Sequence, residues 1–251
     1  MLFSLTGKKA FVTGAAQGIG RTTAEKLAEM GATVALADLN IEKATAAAQE
    51  ICATGAKAIA VKLNVCDNDS IEAAVKEAAE AMGGIDIVVN SAGILGTSSI
   101  EDMSREGEWN RVLDIDLTGT FFVCQKALPY LKQSPAARII NISSVSGRNG
   151  GFEGSMSYAA AKGGVVAITR GMARHLAPYK ITINAVCPGT TETEMLEGYT
   201  PERIQNQLKN ILLGRLGKRE EIAGAVCYLA SEEAGFVTGM MLDINGGGYF
   251  G

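Results

Sequence analysis

Histidine is almost missing from this chain: among 251 residues there is one, His175. A Ser-His-Asp hydrolase would need it near Ser143 or Ser144. It stands instead late in a helical stretch, just before Ala177-Pro178, where it suits a helix C-terminal dipole. The five cysteines (Cys52, Cys66, Cys124, Cys187 and Cys227) are odd in number, scattered and without a Cys-x-x-Cys pair. A zinc site or disulfide framework is therefore not expected, and no residue is assigned to a metal. No apolar run approaches the ~20 residues of a membrane span. The net charge is only −4 and no basic stretch suggests nucleic acid. The first nine residues lack the basic-then-apolar order of a signal peptide, so a cytoplasmic location is expected. No Pro/Ser-rich linker and no internal repeat divides the chain, which reads as one domain over 1–251.

What is present is an alternation of strand and helix from end to end. Strands are expected over 10–13, 33–37, 58–63, 85–90, 138–142, 181–186 and 240–244. Helices are expected over 19–30, 41–54, 67–82, 108–131, 157–177, 201–213 and 220–230. Ile85-Asp86-Ile87-Val88-Val89 shows no clean in/out alternation, as in a parallel sheet covered on both faces. The expected fold is α/β: a doubly wound Rossmann sheet of seven parallel strands. Residues 190–217 have the weakest periodicity and follow a strand's carboxyl end, where such sheets bind ligands. They are the expected substrate lid.

Two constellations carry chemistry. Thr13-Gly14-Ala15-Ala16-Gln17-Gly18-Ile19-Gly20 lies between the first strand and first helix. A glycine turn there aims backbone N–H groups and a helix N-terminus at an anion. Asp38 ends the second strand, where a carboxylate can accept hydrogen bonds from ribose hydroxyls and would repel a 2′-phosphate. No Arg or Lys occupies 37–41, and NAD is the expected cofactor. Asp38 could instead cap the helix beginning near Ile41, a task open to Asn40 as well. Tyr158 and Lys162 are four residues apart, fourteen after Ser144. A helix puts i and i+4 on one face, and an ammonium beside a phenol lowers its pKa toward working pH.

These segments resemble the short-chain dehydrogenase/reductase family along nearly the whole chain. Asn90-Ser91-Ala92-Gly93 resembles the family's Asn-Asn-Ala-Gly segment, and Asn141-Ile142-Ser143-Ser144 precedes the Tyr-x-x-x-Lys. Asn184-Ala185-Val186-Cys187-Pro188-Gly189, with Thr191 and Thr193, resembles its nicotinamide-side loop. The resemblance implies Tyr158 as acid/base, Ser144 as the residue that polarises the substrate oxygen, and Lys162 as a ligand of the nicotinamide ribose. It places Asp116 where relatives carry an asparagine of a water relay; a carboxylate there could also pair with Lys162 and keep it charged. The cofactor set it implies is Gly14, Gln17, Gly18, Ile19, Gly20, Asp38, Leu39, Asn64, Val65, Asn90, Ala92, Gly93, Pro188, Gly189, Thr191 and Thr193, with Tyr158 and Lys162.

For the substrate the expectation is a small polyol, sugar alcohol or related hydroxy compound, contacted by Ser146, Asn149 and Glu153 beside Ser144 and Tyr158. The rival is a 3-oxoacyl-acyl-carrier-protein reductase. Against it stand Asp38, and Pro135 and Tyr179 where such reductases carry carrier-docking arginines. A non-catalytic nucleotide-sensing scaffold is a further alternative, opposed by the intact Ser144/Tyr158/Lys162 set. Gly119, Gly163, Gly164 and Ala167 on the two long helices suggest close approach between subunits, and a homotetramer is expected.

Overall fold

The computed structural model describes residues 2–151 and 156–251. Seven parallel strands lie in the order β3-β2-β1-β4-β5-β6-β7. They are β1 (Lys9–Thr13), β2 (Thr33–Asp38), β3 (Lys57–Lys62), β4 (Ile87–Asn90), β5 (Arg138–Ile142), β6 (Thr182–Pro188) and β7 (Met241–Ile244). β1 is flanked by β2 and β4, with Thr13 opposite both Ala37 and Asn90, so the strand order reverses there. A crevice opens beyond the carboxyl ends at such a point.

Successive strand residues feed two different cores. Val12, Ile87, Val89, Ile140 and Val186 pack on one face, against α1 (Gly18–Glu29), α2 (Ile41–Ala53) and α9 (Arg219–Ala230). Phe11, Val88, Ile139 and Ile183 pack on the other, against α3 (Asn68–Met82), α5 (Gly119–Leu131) and α7 (Met156–Leu176). Both faces are dry, which is why the strand sequences show no polar alternation. Each fully buried Ile or Val stabilises the sheet by roughly 1.5–3 kcal/mol over an exposed one.

Local signals set the helix ends. Asn40 caps α2, its side chain accepting the Lys43 N–H at 3.0 Å. Asp67 caps α3 by accepting the Asp69 N–H, and Gly83 ends that helix in a left-handed conformation (φ +74°). The helix expected over 108–131 is longer and less regular. It begins with a π-type turn, Arg105–Trp109, continues as α4 (Asn110–Leu113), widens into a second π-type turn, Asp114–Thr118, and finishes as α5. Asp116 is the buried residue of that second turn. A short α6 (Ser146–Asn149), not expected from the sequence, packs so closely on α7 that a Cβ on Gly147 would fall 2.5 Å from the Lys162 carbonyl carbon.

In the 190–217 segment α8 covers Pro201–Leu208, shorter than expected. The backbones of its two ends pair, with the Glu192 N–H on Gly217 O at 2.9 Å and the Gly217 N–H on Thr190 O at 3.0 Å. The segment is thus a closed flap standing on a narrow base. Among the described residues no helix is long and apolar enough to cross a membrane.

Two of the small residues expected to face another subunit pack within this chain, while Ala167 stays exposed. A Cβ on Gly119 would lie 2.8 Å from Val65, and one on Gly164 2.6 Å from Leu117. Their smallness serves packing within the chain.

Candidate active site

A cleft of about 870 Å³ runs along the carboxyl ends of the strands, from the β1–α1 turn to Tyr158. Gly14, Gln17, Gly18, Ile19, Gly20, Asp38, Leu39, Asn64, Val65, Ala92, Gly93, Pro188, Gly189, Thr191 and Thr193 all line it. At Gly14 the turn passes so near the β4 loop that a Cβ would sit 2.7 Å from Ala92 Cα. α1 begins without a side-chain cap and with no acidic residue in its first turn. Its leading N–H groups therefore face the cleft available to an anion.

Asp38 does not cap α2. One carboxylate oxygen accepts the Ala16 N–H at 3.0 Å and the other the Asn40 N–H at 2.8 Å. It thereby fixes the glycine turn to the end of β2, and each oxygen keeps a further lone pair for a ribose hydroxyl. Two basic side chains reach this end from positions outside 37–41. The Lys43 ammonium lies 3.4 Å from Gln17 Oε1, and Lys62 donates to the Leu39 carbonyl. An uncapped helix start, a glycine cradle and a carboxylate at the end of β2 fit a dinucleotide.

At the far end Ser144, Tyr158 and Lys162 are all buried and all line the cleft. Ser144 follows β5, and its Oγ accepts the Ser146 N–H at 3.1 Å. Its own proton is left to donate. Tyr158 and Lys162 share a face of α7, with the ammonium 5.5 Å from the phenol ring centroid. The helix is pinned to β5 by the Ser143 hydroxyl, which donates to the Lys162 carbonyl at 2.9 Å. Lys162 Nζ lies 3.0 Å from Asp116 Oδ2 and donates to the Ile142 carbonyl at 3.0 Å. An ammonium has three donors, so one remains for a cofactor hydroxyl.

Asp116 is fully buried behind the cleft, its other oxygen accepting the Ile94 N–H at 2.9 Å. Gly93 leaves the space the pair needs: a Cβ there would lie 2.7 Å from Asp116 Oδ2 and 3.3 Å from Lys162 Nζ. Burial works against the ammonium, but the Asp116 carboxylate outweighs it and holds Lys162 above the ordinary lysine value.

The phenol departs from expectation. Burial raises the Tyr158 pKa; Lys162 and a Ser144 hydrogen bond pull it down, while Asp116 and Tyr199 push it up, and it stays above its ordinary value. Asp116 cancels much of the field by which Lys162 was expected to lower it. In the cofactor-free protein Tyr158 is thus a firmly protonated phenol at neutral pH.

Two expected contacts fall elsewhere. Asn90 does not line the cleft; its amide donates to Asn141 Oδ1 at 2.8 Å in the core. Asn149 does not line it either, because its Oδ1 turns back to accept the Gly151 N–H at 2.9 Å. Glu153 lies outside the described residues. Ser146 does line the cleft. Ile94 and Leu95 pack against Tyr158, and Met195, Leu196 and Tyr199 add to the cleft lining. The last three come from the flap, whose weak periodicity gave no means of choosing them.

Known proteins share this sequence pattern and fold. The model of a family described as enoyl-(acyl carrier protein) reductase matches residues 14–248. The chain is 41% identical to the 3-oxoacyl-acyl-carrier-protein reductase of Aquifex aeolicus (strain VF5), over 98% of this chain and 99% of that one. It is 42% identical to the reductase of the same name from Vibrio harveyi, again over 98% and 99%. A crystal structure of a dehydrogenase/reductase from Sinorhizobium meliloti 1021 superposes with a TM-score of 0.94 at 37% identity, covering 99% of this chain and 97% of that one. With its seven-stranded sheet and a match running almost end to end, the chain belongs to the short-chain dehydrogenase/reductase family, the nicotinamide-dependent oxidoreductases of CH–OH groups.

Proposed function

We propose that the chain is a reductase of 3-oxoacyl thioesters that uses NADH, with Tyr158 as the proton donor. The observation that carries this is the Tyr158 phenol set beside Ser144 and Lys162 in the cleft, with Ile94 and Leu95 packed against it. Reducing a ketone requires an acid at its oxygen, and a phenol that keeps its proton at neutral pH beside an ammonium that can stabilise its phenolate supplies one. The near-full-length relatives that bear the 3-oxoacyl reductase name support the same substrate class.

A bound reduced nicotinamide supplies the hydride that goes to the ketone carbon. The Ser144 O–H, which meets the Tyr158 oxygen in the cofactor-free protein, turns to the ketone oxygen and polarises it. The Tyr158 O–H transfers its proton to that oxygen as negative charge develops there. Lys162 then stabilises the phenolate, and Asp116 keeps Lys162 charged. The free donor of Lys162 and the Asp38 carboxylate hold ribose hydroxyls at the two ends of the cofactor.

The polyol substrate loses its support. Asn149 does not line the cleft, its Oδ1 being taken by the Gly151 N–H, and Ile94 and Leu95 beside Tyr158 offer hydrocarbon where hydroxyls would need partners. Nor do Pro135 and Tyr179 deprive a carrier of cations. The Lys132 ammonium lies 4.0 Å from the centre of the exposed Tyr179 ring, and Lys180 follows it. NADH rather than NADPH rests on Asp38, whose charge opposes a 2′-phosphate. We retain a homotetramer within the proposal, now on the exposed Phe236 and Met240 beside β7, which pairs only with β6. Light scattering that finds a stable monomer removes it.

The test is a matrix of purified enzyme, NADH and NADPH against acetoacetyl-acyl-carrier-protein, acetoacetyl-coenzyme A, crotonyl-coenzyme A and a panel of polyols. The acetoacetyl thioesters with NADH should turn over at least about tenfold faster than any polyol. Faster polyol oxidation would overturn the substrate, faster use of NADPH the cofactor, and silence throughout would favour a non-catalytic scaffold.

A further inference from the structure

Glu108 lies outside the cleft yet joins three segments that shape it. Its Oε2 accepts the Thr97 N–H at 3.0 Å, the Ser98 N–H at 2.9 Å and the Ser98 hydroxyl at 2.7 Å. Its Oε1 accepts the Ser157 hydroxyl at 3.0 Å. Thr97 and Ser98 follow directly on Ile94, Leu95 and Gly96, which form part of the cleft wall. Ser157 is fully buried and immediately precedes Tyr158. The junction has no slack, since a Cβ on Gly96 would lie 2.2 Å from Ser157 Oγ and 2.5 Å from Glu108 Oε1. Burial pushes the Glu108 carboxyl up, but the hydrogen bonds from Thr97, Ser98 and Ser157 outweigh it and hold the group below its ordinary value. It is a carboxylate at neutral pH, able only to accept, and every group facing it here donates.

We infer that Glu108 is a positioning residue, which ties the 94–98 wall of the cleft to the turn of α7 that carries Tyr158 and so fixes where a substrate sits relative to the proton donor. Glutamine has the same shape but no charge. With its amide oxygen on the Thr97 and Ser98 donors, its NH₂ faces Ser157, whose hydroxyl must turn to accept, and every bond of the junction loses its charge assistance. Ser157→Ala cuts one side of the junction and leaves the other whole. The inference rests on Tyr158 being the proton donor, which Tyr158→Phe tests separately. An active Tyr158→Phe enzyme would defeat that reading, whereas an inert one beside an unimpaired Glu108→Gln enzyme would defeat only this inference.

Two measurements decide it: steady-state reduction of acetoacetyl-coenzyme A by NADH, and amide hydrogen exchange of the whole chain. Glu108→Gln should lower kcat about tenfold and raise the thioester KM, with the NADH dissociation constant within about twofold of the parent. Ser157→Ala should lower kcat and leave KM unchanged, because the 97–98 contacts survive. Exchange should quicken in Glu108→Gln both at Thr97 and Ser98 and in the first turn of α7. Unchanged kcat in either variant, or faster exchange confined to the 97–98 amides, overturns the inference. If Glu108→Gln does not fold, kcat and exchange in Ser157→Ala decide alone.

Discussion

Tyr158 sits under two opposing fields, and their balance predicts how the enzyme responds to pH. The ammonium of Lys162 favours the phenolate, but burial and the Asp116 carboxylate oppose it and leave the phenol above its ordinary value. The acid form is the one that reduction consumes. Reductive kcat/KM should therefore be flat from about pH 6 to about pH 9 and fall only in stronger alkali. A profile that already falls between about pH 7 and 8 would show a phenol lowered as the sequence alone suggested. The Lys162–Asp116 pair also bears on stability, although burial raises the Asp116 carboxyl above its ordinary value and offsets part of the gain. Since the Lys162 value is raised on folding, its contribution is complete below the ordinary lysine pKa of about 10.4 and is lost only as the pH rises through the folded value. Asp116→Asn keeps an acceptor for Ile94 but leaves a buried ammonium without its counter-charge, and should cost about 3 kcal/mol in denaturant unfolding at neutral pH. A change under about 0.5 kcal/mol, typical of surface sites, would mean the pair is solvated in solution.

Secondary structure turns single residues into geometry, most plainly in α7. The helix holds Tyr158 and Lys162 on one face and, three turns later, Thr169 in the core. The Asn141 amide donates to the Thr169 hydroxyl at 2.9 Å and accepts from Asn90 at 2.8 Å, so β4 and β5 fix how far α7 slides along its axis. Asn141→Leu, close in size, should strand the Asn90 amide and the Thr169 hydroxyl in the core. The expected loss is about 2 kcal/mol, or about 6 °C in Tm, with lower kcat; an unchanged Tm would show that water or a new partner replaces the link. Nothing in the residue pattern announced this network. Asn90 was expected at the cofactor because it belongs to a recognisable segment, and only the pairing of β4 with β5 shows that it faces inward. The π-type turn that buries Asp116 was equally hidden, since a one-residue widening leaves the apolar periodicity of 105–131 almost intact. The cap of α2, by contrast, was narrowed to Asp38 or Asn40, because a cap acts on N–H groups only two or three residues away.

For the molecule as a whole, the fold could be read because both sheet faces are dry: strands such as Ile87–Asn90 need no polar side and so declare a covered parallel sheet. The candidate catalytic end was gathered from the sequence because Ser144, just after β5, and Tyr158 and Lys162 on α7 keep fixed spacings. The substrate could not, since its pocket is walled by Ile94 and Leu95 from one loop and Met195, Leu196 and Tyr199 from the flap, residues that only tertiary structure gathers. Polar residues near Ser144 in sequence suggested hydroxyl contacts, and the turn of Asn149 onto Gly151 removes one of them. The central claim is that this cleft delivers a proton from Tyr158 to the ketone of a 3-oxoacyl thioester. The most direct measurement follows NADH absorbance with acetoacetyl-acyl-carrier-protein for the parent chain and for Tyr158→Phe. The account predicts rapid NADH loss with the parent and a rate lower by about 10²–10⁴-fold in the variant, which still binds NADH. Thioester left untouched by the parent chain, or reduced as fast without the phenol oxygen, would contradict it.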